Sequence, residues 1–264
     1  MSTTTTTTTT TINESGSTVT QYGFYYDQGR CVDCKTCTIA CKVWYNKGPS
    51  PAKWCRTFEW ESGTFPNVIL KALFAPCYHC ANPVCITNCP YHAIYKEPNF
   101  GAVLIDANAC TGCRICFQVC PYGAPQFASD APSTKAEMCT MCIDRLTTGL
   151  QPICVMTCSL RALDFGKLSD LQAKYGSIKD LDGLPSSKTT NPSIVFKARI
   201  DHKTLIPYDT ARVAQLMAKR DPLPALYSTA ADLTPNAGVV GRSTLNLKPD
   251  NGTAEKAATQ NDEG

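Results

Sequence analysis

The sequence predicts an α+β fold in which small strands and helices surround loops that are rich in cysteine. Two observations lead to this prediction: the regular spacing of the cysteines, and the short apolar segments that precede and follow them. Sixteen of the 17 cysteines among the 264 residues form four groups of four, which we call quartets I to IV in chain order. They are Cys31, Cys34, Cys37 and Cys41; Cys77, Cys80, Cys85 and Cys89; Cys110, Cys113, Cys116 and Cys120; and Cys139, Cys142, Cys154 and Cys158.

The spacing within the quartets indicates which metal they bind. Quartets I and III follow C-x2-C-x2-C-x3-C, whereas quartet II widens one gap to C-x4-C and quartet IV widens it to C-x11-C. Four thiolates are the ligands of one 4Fe–4S cluster, and the spacing of quartets I and III is that of bacterial ferredoxins. Zinc is the alternative metal, because C-x-x-C pairs also suit tetrahedral sites. The third closely spaced cysteine, and the Cys-Pro at the end of quartets II and III, favour four 4Fe–4S clusters.

Short apolar triplets lead into two of the quartets. Asp27 and Asp106 each lie four residues before the first cysteine of a quartet, and each follows an apolar triplet, 24–26 or 103–105. Both triplets are predicted to be strands that enter a cluster loop.

The segments after the quartets also repeat. An alanine lies four residues after the last cysteine of quartets II, III and IV, at Ala93, Ala124 and Ala162. A small residue there suits a helical turn packed closely against a cluster. Residues 93–95 and 102–105 flank Asn-Phe-Gly, which predicts a hairpin between quartets II and III.

The repeats predict how the cysteines are shared between clusters. In two-cluster ferredoxins, the first three cysteines of one run bind one cluster and the fourth binds the other. Quartets II and III both end in Cys-Pro-Tyr, so they form one pair, and quartets I and IV form the other by elimination. The predicted ligand sets are site I, Cys31, Cys34, Cys37 and Cys158; site II, Cys77, Cys80, Cys85 and Cys120; site III, Cys110, Cys113, Cys116 and Cys89; and site IV, Cys139, Cys142, Cys154 and Cys41.

This pairing predicts two ferredoxin-like modules, one interrupted by the other, followed by an extended C-terminal segment. The expected parts are a disordered threonine-rich N-terminus at 1–19, the first half of the outer module at 20–65, the inner module at 66–130, the second half of the outer module at 131–166, and a C-terminal extension and tail that docks on a partner at 167–264.

The C-terminal part contains no cysteine, and its elements are predicted from local signals. Ser169 with Gln172 predicts a capping box for a helix over 170–175. Residues 193–200 are predicted to form a strand, and a further helix is predicted to begin at Asp209. From residue 221 the composition becomes rich in Pro, Asn, Gly, Thr and charge, so that part is either disordered or wrapped around a partner.

The formal charge of +3 counts every cysteine as neutral. An oxidised 4Fe–4S cluster with four thiolates carries about −2, so four clusters would bring the loaded chain to roughly −5. Basic residues near the quartets would offset this charge locally, unless they are ordinary solvated surface charges. These residues are Lys35, Lys42, Arg114, Arg145 and Arg161.

Two further residues have more than one interpretation. Cys55 is the one cysteine outside the quartets; it is expected to be a buried or half-buried free thiol, with a ligand or redox role as the alternative. His79 lies inside quartet II, where imidazole could bind iron. Because quartet II already supplies four thiolates, His79 is instead expected to be a hydrogen-bond donor or a surface residue.

Several motifs are absent from the sequence. There is no dinucleotide fingerprint, P-loop or nucleophile elbow, and no histidine and carboxylate set for a catalytic metal. The chain is therefore expected to carry electrons without being an enzyme on its own. No apolar run reaches 18 residues, so no membrane span is expected, and the threonine-rich start does not resemble a secretory signal.

The cysteine motifs carry a resemblance to a known family. Residues 20–24 (TQYGF), then CVDCKTCTIAC, CYHCANPVCITNC, CTGCRICFQVC and the split CTMC…CVMTC, resemble the iron–sulfur subunit of dimethyl sulfoxide reductase. The resemblance covers roughly residues 20–200. It implies four 4Fe–4S clusters and a large molybdenum or tungsten bis-pterin catalytic subunit as the partner, with a membrane anchor subunit as a further partner and no nucleic acid.

The expected function is electron transfer between the pterin subunit and a quinone-linked anchor or another redox partner. The expected location is peripheral at the cytoplasmic membrane within a complex, either in the cytoplasm or exported with a partner that carries a twin-arginine signal. The alternative is a free-standing soluble polyferredoxin, which the extended C-terminal segment argues against. Because cluster potentials span a wide range, the sequence leaves the direction of electron flow open.

Overall fold

The computed structural model describes residues 20–64, 68–200 and 215. The threonine-rich segment 1–19, most of the helix predicted to begin at Asp209 and the tail from residue 221 lie outside the described residues. Within the described ranges the chain mixes short strands and short helices, as the sequence predicts, and none of these helices is long and apolar enough to cross a membrane.

The elements alternate along the described part of the chain. The strands are β1 (Tyr22–Asp27), β2 (Arg56–Ser62), β3 (Ile69–Ala75), β4 (Ile94–Lys96), β5 (Val103–Ile105), β6 (Gln126–Phe127), β7 (Ala136–Glu137), β8 (Leu163–Lys167) and β9 (Ile194–Lys197). The helices are α1 (Thr36–Trp44), α2 (Val84–Thr87), α3 (Ile115–Val119), α4 (Ile143–Leu146), α5 (Ile153–Met156) and α6 (Leu168–Tyr175).

A three-stranded sheet joins the start and the end of the described chain. Its order is β8-β1-β9, with β1 antiparallel to β8 and parallel to β9. Successive side chains of a strand point to opposite faces. On one face the ring of Tyr25 stacks on Tyr175 of α6, with centroids 3.7 Å apart. On the other face, Phe24 and Tyr26 pack against Phe74, which joins the sheet to the main core.

The remaining strands form three hairpins. β2 pairs with β3, β4 with β5 and β6 with β7, all antiparallel. The β4–β5 hairpin is the one predicted between quartets II and III, and its register pairs Ile94 with Ile105. The apolar triplets predicted to lead into quartets I and III lie in β1 and β5, so both of these strand predictions are confirmed.

The predicted C-terminal strand and helix are present, but the predicted capping box is wrong. β9 lies within the segment predicted as a strand, and α6 begins at Leu168, directly after β8. The amide of Leu168 donates to the carbonyl of Gln21 at 2.9 Å, so the residue before β1 satisfies this first helical amide. Ser169 therefore lies inside the helix, where its hydroxyl donates to Asp170 at 3.0 Å.

Candidate metal centres

The four cysteine loops share one backbone conformation. In each quartet, the residue two positions after the first cysteine has a positive φ: Asp33 (51°), His79 (44°), Gly112 (80°) and Met141 (58°). In the left-handed region its amide turns back toward that cysteine. The N–H of His79 donates to Sγ of Cys77 and that of Met141 to Sγ of Cys139, both at 3.4 Å. In quartets II and IV the loop therefore begins as a turn around a sulfur atom.

The aspartates that precede quartets I and III build matching turns. Oδ1 of Asp27 accepts the N–H two residues further on at 3.0 Å, and Oδ1 of Asp106 does the same at 2.8 Å. Their backbone carbonyls accept the amide of the first cysteine of the quartet, at 3.2 Å and 3.0 Å. Such Asx turns direct the chain out of β1 and β5 into the cysteine loops.

The repeated alanines lie against the last cysteine of their quartets. The N–H of Ala162 donates to Sγ of Cys158 at 3.3 Å, and that of Ala124 to Sγ of Cys120 at 3.5 Å. Both alanines and Ala93 are buried, with 2–4% of their surface exposed. A small residue at this position lets the backbone approach the sulfur, which explains the repeat seen in the sequence.

A short helix separates the third and fourth cysteines of every quartet. The third cysteine lies in α1, α2, α3 or α5, and the fourth follows four residues later, within or just after the same helix. Four residues complete about one helical turn and advance about 6 Å along the axis. The two side chains therefore leave the same helix face at different heights, so they can serve different sites.

Three cavities collect cysteines from two quartets each. Each is lined by the first three cysteines of one quartet and the fourth of another. The cysteines in the three linings are Cys31, Cys34, Cys37 and Cys158; Cys77, Cys80, Cys85 and Cys120; and Cys110, Cys113, Cys116 and Cys89. These sets coincide with the ligand sets of sites I, II and III.

The four cysteines of site IV lie close enough to one another to influence each other's pKa values. Burial raises the pKa of Cys139 well above its usual value, and the next contributors are Cys142, Cys41 and Cys154. Burial also raises the pKa of Cys41 to about 12, with Cys142 as the next contributor. The cysteines assigned to site IV are therefore mutual neighbours in the structure.

Several thiols of the candidate sites resist ionisation. Burial raises the pKa of Cys80 to about 12, with Cys120 as the next contributor, and burial likewise raises the pKa of Cys116 to about 12. The thiolate is the form that binds metal. A positively charged metal core is therefore needed to hold these groups as thiolates, and its insertion releases protons.

The donor set and its spacing favour clusters over single zinc ions. Zinc with four Zn–S bonds of about 2.3 Å draws its sulfurs to about 3.8 Å from one another. Among the described residues, no group of three or more His, Cys, Asp or Glu side chains is placed to hold a metal ion in this way. No disulfide joins any of the 17 cysteines, all of which lie in the described ranges. Four thiols around an open cavity are the donor set of a 4Fe–4S cluster.

Cys55 is buried, as expected for a free thiol, with 2% of its surface exposed. It hydrogen-bonds Cys37, and this bond and burial raise its pKa.

His79 is fully buried, so the prediction of a surface residue is wrong. Its Nδ1 accepts the N–H of Val103 at 2.9 Å, and burial lowers its pKa to about 3. The imidazole is therefore neutral and acts as an acceptor through Nδ1, whereas the other expectation was a hydrogen-bond donor.

Several polar residues near the sites were not singled out from the sequence. Thr190, from the segment before β9, lines the site II cavity and contacts the hydroxyl of Tyr122 at 3.1 Å. Lys96 donates to the carbonyl of Cys80 at 2.8 Å. Arg56, at the start of β2, is 2% exposed. Lys96 lies one residue beyond the first strand of the predicted hairpin, so it is near a motif that the sequence reveals.

The basic residues that the sequence did single out differ in their surroundings. Arg145 is 4% exposed, its Nε donates to the carbonyl of Gln151 at 2.8 Å, and its guanidinium lies 4.3 Å from the ring centroid of Trp44. Arg114 pairs with Asp130 at 3.5 Å. Arg145 is thus an interior charge beside quartet IV rather than a solvated one.

Several known proteins are similar in sequence to this chain. A family model described as a 4Fe-4S dicluster domain matches residues 70–168, which contain quartets II, III and IV. Over 188 residues the chain is 40% identical to a chain of the anaerobic dimethyl sulfoxide reductase of Escherichia coli K12, a match that covers 67% of this chain and 89% of that protein. This protein belongs to the family of dimethyl sulfoxide reductase iron–sulfur subunits.

Subunits of two differently named enzymes are also similar in sequence to this chain. A subunit of the sulfite dehydrogenase of Allochromatium vinosum is 35% identical over 227 residues, covering 77% of this chain and 94% of that protein. A subunit of the tetrathionate reductase of Salmonella typhimurium is 31% identical over 214 residues, covering 78% and 80%. The predicted resemblance is confirmed, and the chain is an iron–sulfur electron-transfer subunit with 4Fe–4S clusters.

Proposed function

We propose that this chain carries four 4Fe–4S clusters and relays electrons between a molybdenum or tungsten bis-pterin catalytic subunit and a quinone-linked membrane anchor or another redox partner. The observation that carries this proposal is the crossed lining of the cavities, in which three cysteines of one quartet meet the fourth of another. Each cluster, when bound, supplies exchange of one electron at a time. The protein supplies the thiolates, the burial and the N–H groups that hold the sulfurs.

The electrostatic interactions between cysteines of different sites support a linear order of I, IV, II and III. Cys37 of site I acts electrostatically on Cys154 of site IV. Cys139 of site IV acts on Cys77 of site II, and its neighbour Met138 lines the site II cavity. Cys116 of site III acts on Cys85 of site II. Three sequential links of this kind make one path through the protein.

The same order supports the arrangement of two modules. Sites I and IV combine cysteines from 20–65 and 131–166, the two halves of the proposed outer ferredoxin-like module. Sites II and III use cysteines from 66–130, the proposed inner module. β1 of the first outer half pairs with β8 at the end of the second half, which closes the outer module around the inner one.

The relatives support a complex rather than a free shuttle. Those cited above are named as chains or subunits of a dimethyl sulfoxide reductase, a sulfite dehydrogenase and a tetrathionate reductase. We infer that this chain, which is not an enzyme on its own, also works next to a catalytic subunit. Within such a complex it would lie peripherally at the cytoplasmic membrane.

Anaerobic purification of the native complex tests this function. We expect ~16 irons and ~16 acid-labile sulfides per chain, four of each in every cluster. Low-temperature EPR during reductive titration should resolve four interacting spin systems, and a large subunit with molybdenum or tungsten should co-purify. Two clusters per chain would contradict the cluster count. A fully loaded monomer without molybdenum or tungsten would favour a free-standing polyferredoxin.

A further inference from the structure

Arg145 is a buried charge at the base of the long gap between the second and third cysteines of quartet IV. It lies in α4, shortly after Cys142, and 4% of its surface is exposed. Its backbone carbonyl accepts the amide of Leu150 at 3.0 Å, and its Nε donates to the carbonyl of Gln151 at 2.8 Å. The loop that leads from Cys142 to Cys154 is therefore folded back onto this one residue.

The guanidinium of Arg145 also contacts the two helices that carry further cysteines of site IV. Its Nη2 donates to Sδ of Met156, which lies in α5 shortly after Cys154. The guanidinium lies 4.3 Å from the ring centroid of Trp44, the last residue of α1, which also contains Cys41. Arg145 thus joins three segments of the chain, and each of them carries or adjoins a cysteine assigned to site IV.

Asp144, the neighbour of Arg145, holds the same junction from the surface. Its carboxylate accepts hydrogen bonds from Nε1 of Trp44 and from the hydroxyl of Tyr45, both at 2.7 Å. Asp144 is exposed, so water and salt screen its charge. The two neighbours therefore fasten the end of α1 with opposite charges, one at the surface and one in the interior.

The surroundings of the Arg145 guanidinium favour an effect on a cluster at site IV. A backbone carbonyl, a thioether and an aromatic ring contact it, and none of these groups carries a formal charge. A guanidinium stays protonated in proteins, and its field is stronger through a protein interior than through water. A 4Fe–4S cluster with four thiolates carries about −2 when oxidised and becomes more negative on reduction. The buried cation therefore favours the reduced cluster.

We propose that Arg145 is a positioning residue of site IV and that its charge raises the reduction potential of the cluster bound there. This inference rests on the proposed function, because it requires a cluster held by Cys41, Cys139, Cys142 and Cys154. The contacts of Arg145 close the gap in quartet IV, so that Cys142 and Cys154 reach one site. Reduction adds one electron to that cluster from a neighbouring cluster or donor and breaks no bond. Arg145 stabilises the added negative charge and touches no substrate.

The test uses the full chain in its native complex and four variants. Arg145→Gln removes the charge, and Arg145→Lys keeps a positive charge but loses the planar fork. Asp144→Asn disturbs the same junction but removes a negative charge. Arg199→Gln is the surface control, because exposed Arg199 donates to the carbonyl of Leu70, in β3, at 2.7 Å. Redox titration followed by EPR gives a midpoint potential for each spin system, and Cys154→Ser identifies the one that belongs to site IV.

We expect Arg145→Gln to lower the midpoint potential of the site IV spin system and Arg145→Lys to lower it less. Asp144→Asn should not lower this potential, and Arg199→Gln should leave it unchanged. An equal fall in Arg145→Gln and Asp144→Asn would show that the loosened junction, and not the charge, changes the potential, and it would overturn the proposal. An unchanged site IV potential in a fully loaded Arg145→Gln complex would do the same, and so would a shift confined to another spin system.

If Arg145→Gln loses the site IV cluster, Arg145→Lys decides the question. Retention of the cluster in the lysine variant would support a role of the charge, and loss from both variants would assign Arg145 to packing and overturn the proposal. The wild-type complex separates this result from the proposed function. If its spectrum lacked a spin system sensitive to Cys154→Ser, the four-cluster assignment would fail, whatever the variants of Asp144 and Arg145 showed.

Discussion

Cys116 and Cys120 lie one helical turn apart at α3, yet they line different cavities. Cys116 faces the cavity that contains Cys89, whereas Cys120 faces the cavity that contains Cys77. The rise of about 6 Å over these four residues is long enough to span from one cavity to the next and short enough to keep the two cavities adjacent. The helical turn between Cys116 and Cys120 thus lets one quartet contribute to two cavities.

Gly112 should be required for site III. Its φ is 80°, and a Cβ at this position would lie 2.5 Å from the carbonyl oxygen of Thr134. Gly112→Ala therefore combines backbone strain of about 1–3 kcal/mol with a collision against backbone that cannot move aside. We expect the site III spin system to be lost, while those of sites I, II and IV remain.

Gly149→Ala is the control for this change. Gly149 has a φ of 79°, but no atom lies within 4 Å of its Cβ position, so the substitution adds strain without a collision. The iron content of this variant should match that of the wild-type chain. Equal loss of iron in both glycine variants would show that strain alone, and not the contact with Thr134, limits the loop.

The alanine after quartet IV should be required for site I. Ala162 lines the site I cavity and is 2% exposed, so a larger side chain must enter the space of the cluster. Overpacking of this kind costs about 1–3 kcal/mol. Ala162→Leu is expected to lose the site I cluster selectively, as measured by iron content and EPR. Ala173→Leu on the exposed face of α6 should change neither, and retention of all four clusters in Ala162→Leu would contradict the role assigned to this alanine.

The packing of α6 against β8 should depend on Asp164. Burial alone would raise the pKa of Asp164, but the hydrogen bonds donated by Tyr175 and Lys174, at 2.7 Å and 3.1 Å, outweigh it and hold this pKa below its usual value. Asp164→Asn or Tyr175→Phe should each cost about 1 kcal/mol. Amide hydrogen exchange in α6 should then be about fivefold faster.

The stabilisation of α6 by Asp164 depends on pH in a direction that the depressed pKa determines. A carboxyl group whose folded pKa is depressed stabilises the fold above its unfolded pKa, and that stability is lost as pH falls through the folded value. Asp164 is therefore fully ionised between about pH 6 and pH 8. The difference between wild type and Asp164→Asn should be constant across this range, and a difference that appeared only toward pH 8 would argue against the carboxylate.

Features encoded within a few residues could be predicted from the sequence. The cysteines that line the three cavities are grouped as the ferredoxin pattern predicts, and their assignment as cluster ligands stays a prediction. The spacing of four residues between the third and fourth cysteines corresponds to about one helical turn in each quartet. The turns at Asp27 and Asp106 and the β4–β5 hairpin are likewise local. In each case the residues that signal the structure in the sequence are the same few neighbouring residues that form it.

Contacts between distant segments could not be predicted in this way. Arg56 reaches Tyr122 and Thr190 reaches Tyr122 across 66 and 68 residues of sequence, and neither pair has a spacing that marks it. The capping box at Ser169 failed for the same reason, because a distant segment supplies the acceptor for the amide of Leu168. Tertiary packing determines these contacts, and the pattern of a single sequence does not reveal that packing.

The fourth cysteine of each quartet is proposed to bind the cluster of the partner quartet. Three single variants of the native complex test this proposal most directly: Cys85→Ser, Cys120→Ser and Cys116→Ser, each followed by EPR during redox titration. We expect Cys85→Ser and Cys120→Ser to alter the same spin system and Cys116→Ser to alter a different one. If Cys116→Ser and Cys120→Ser altered one spin system together, and Cys85→Ser altered another, each quartet would bind its own cluster and the crossed assignment would be wrong.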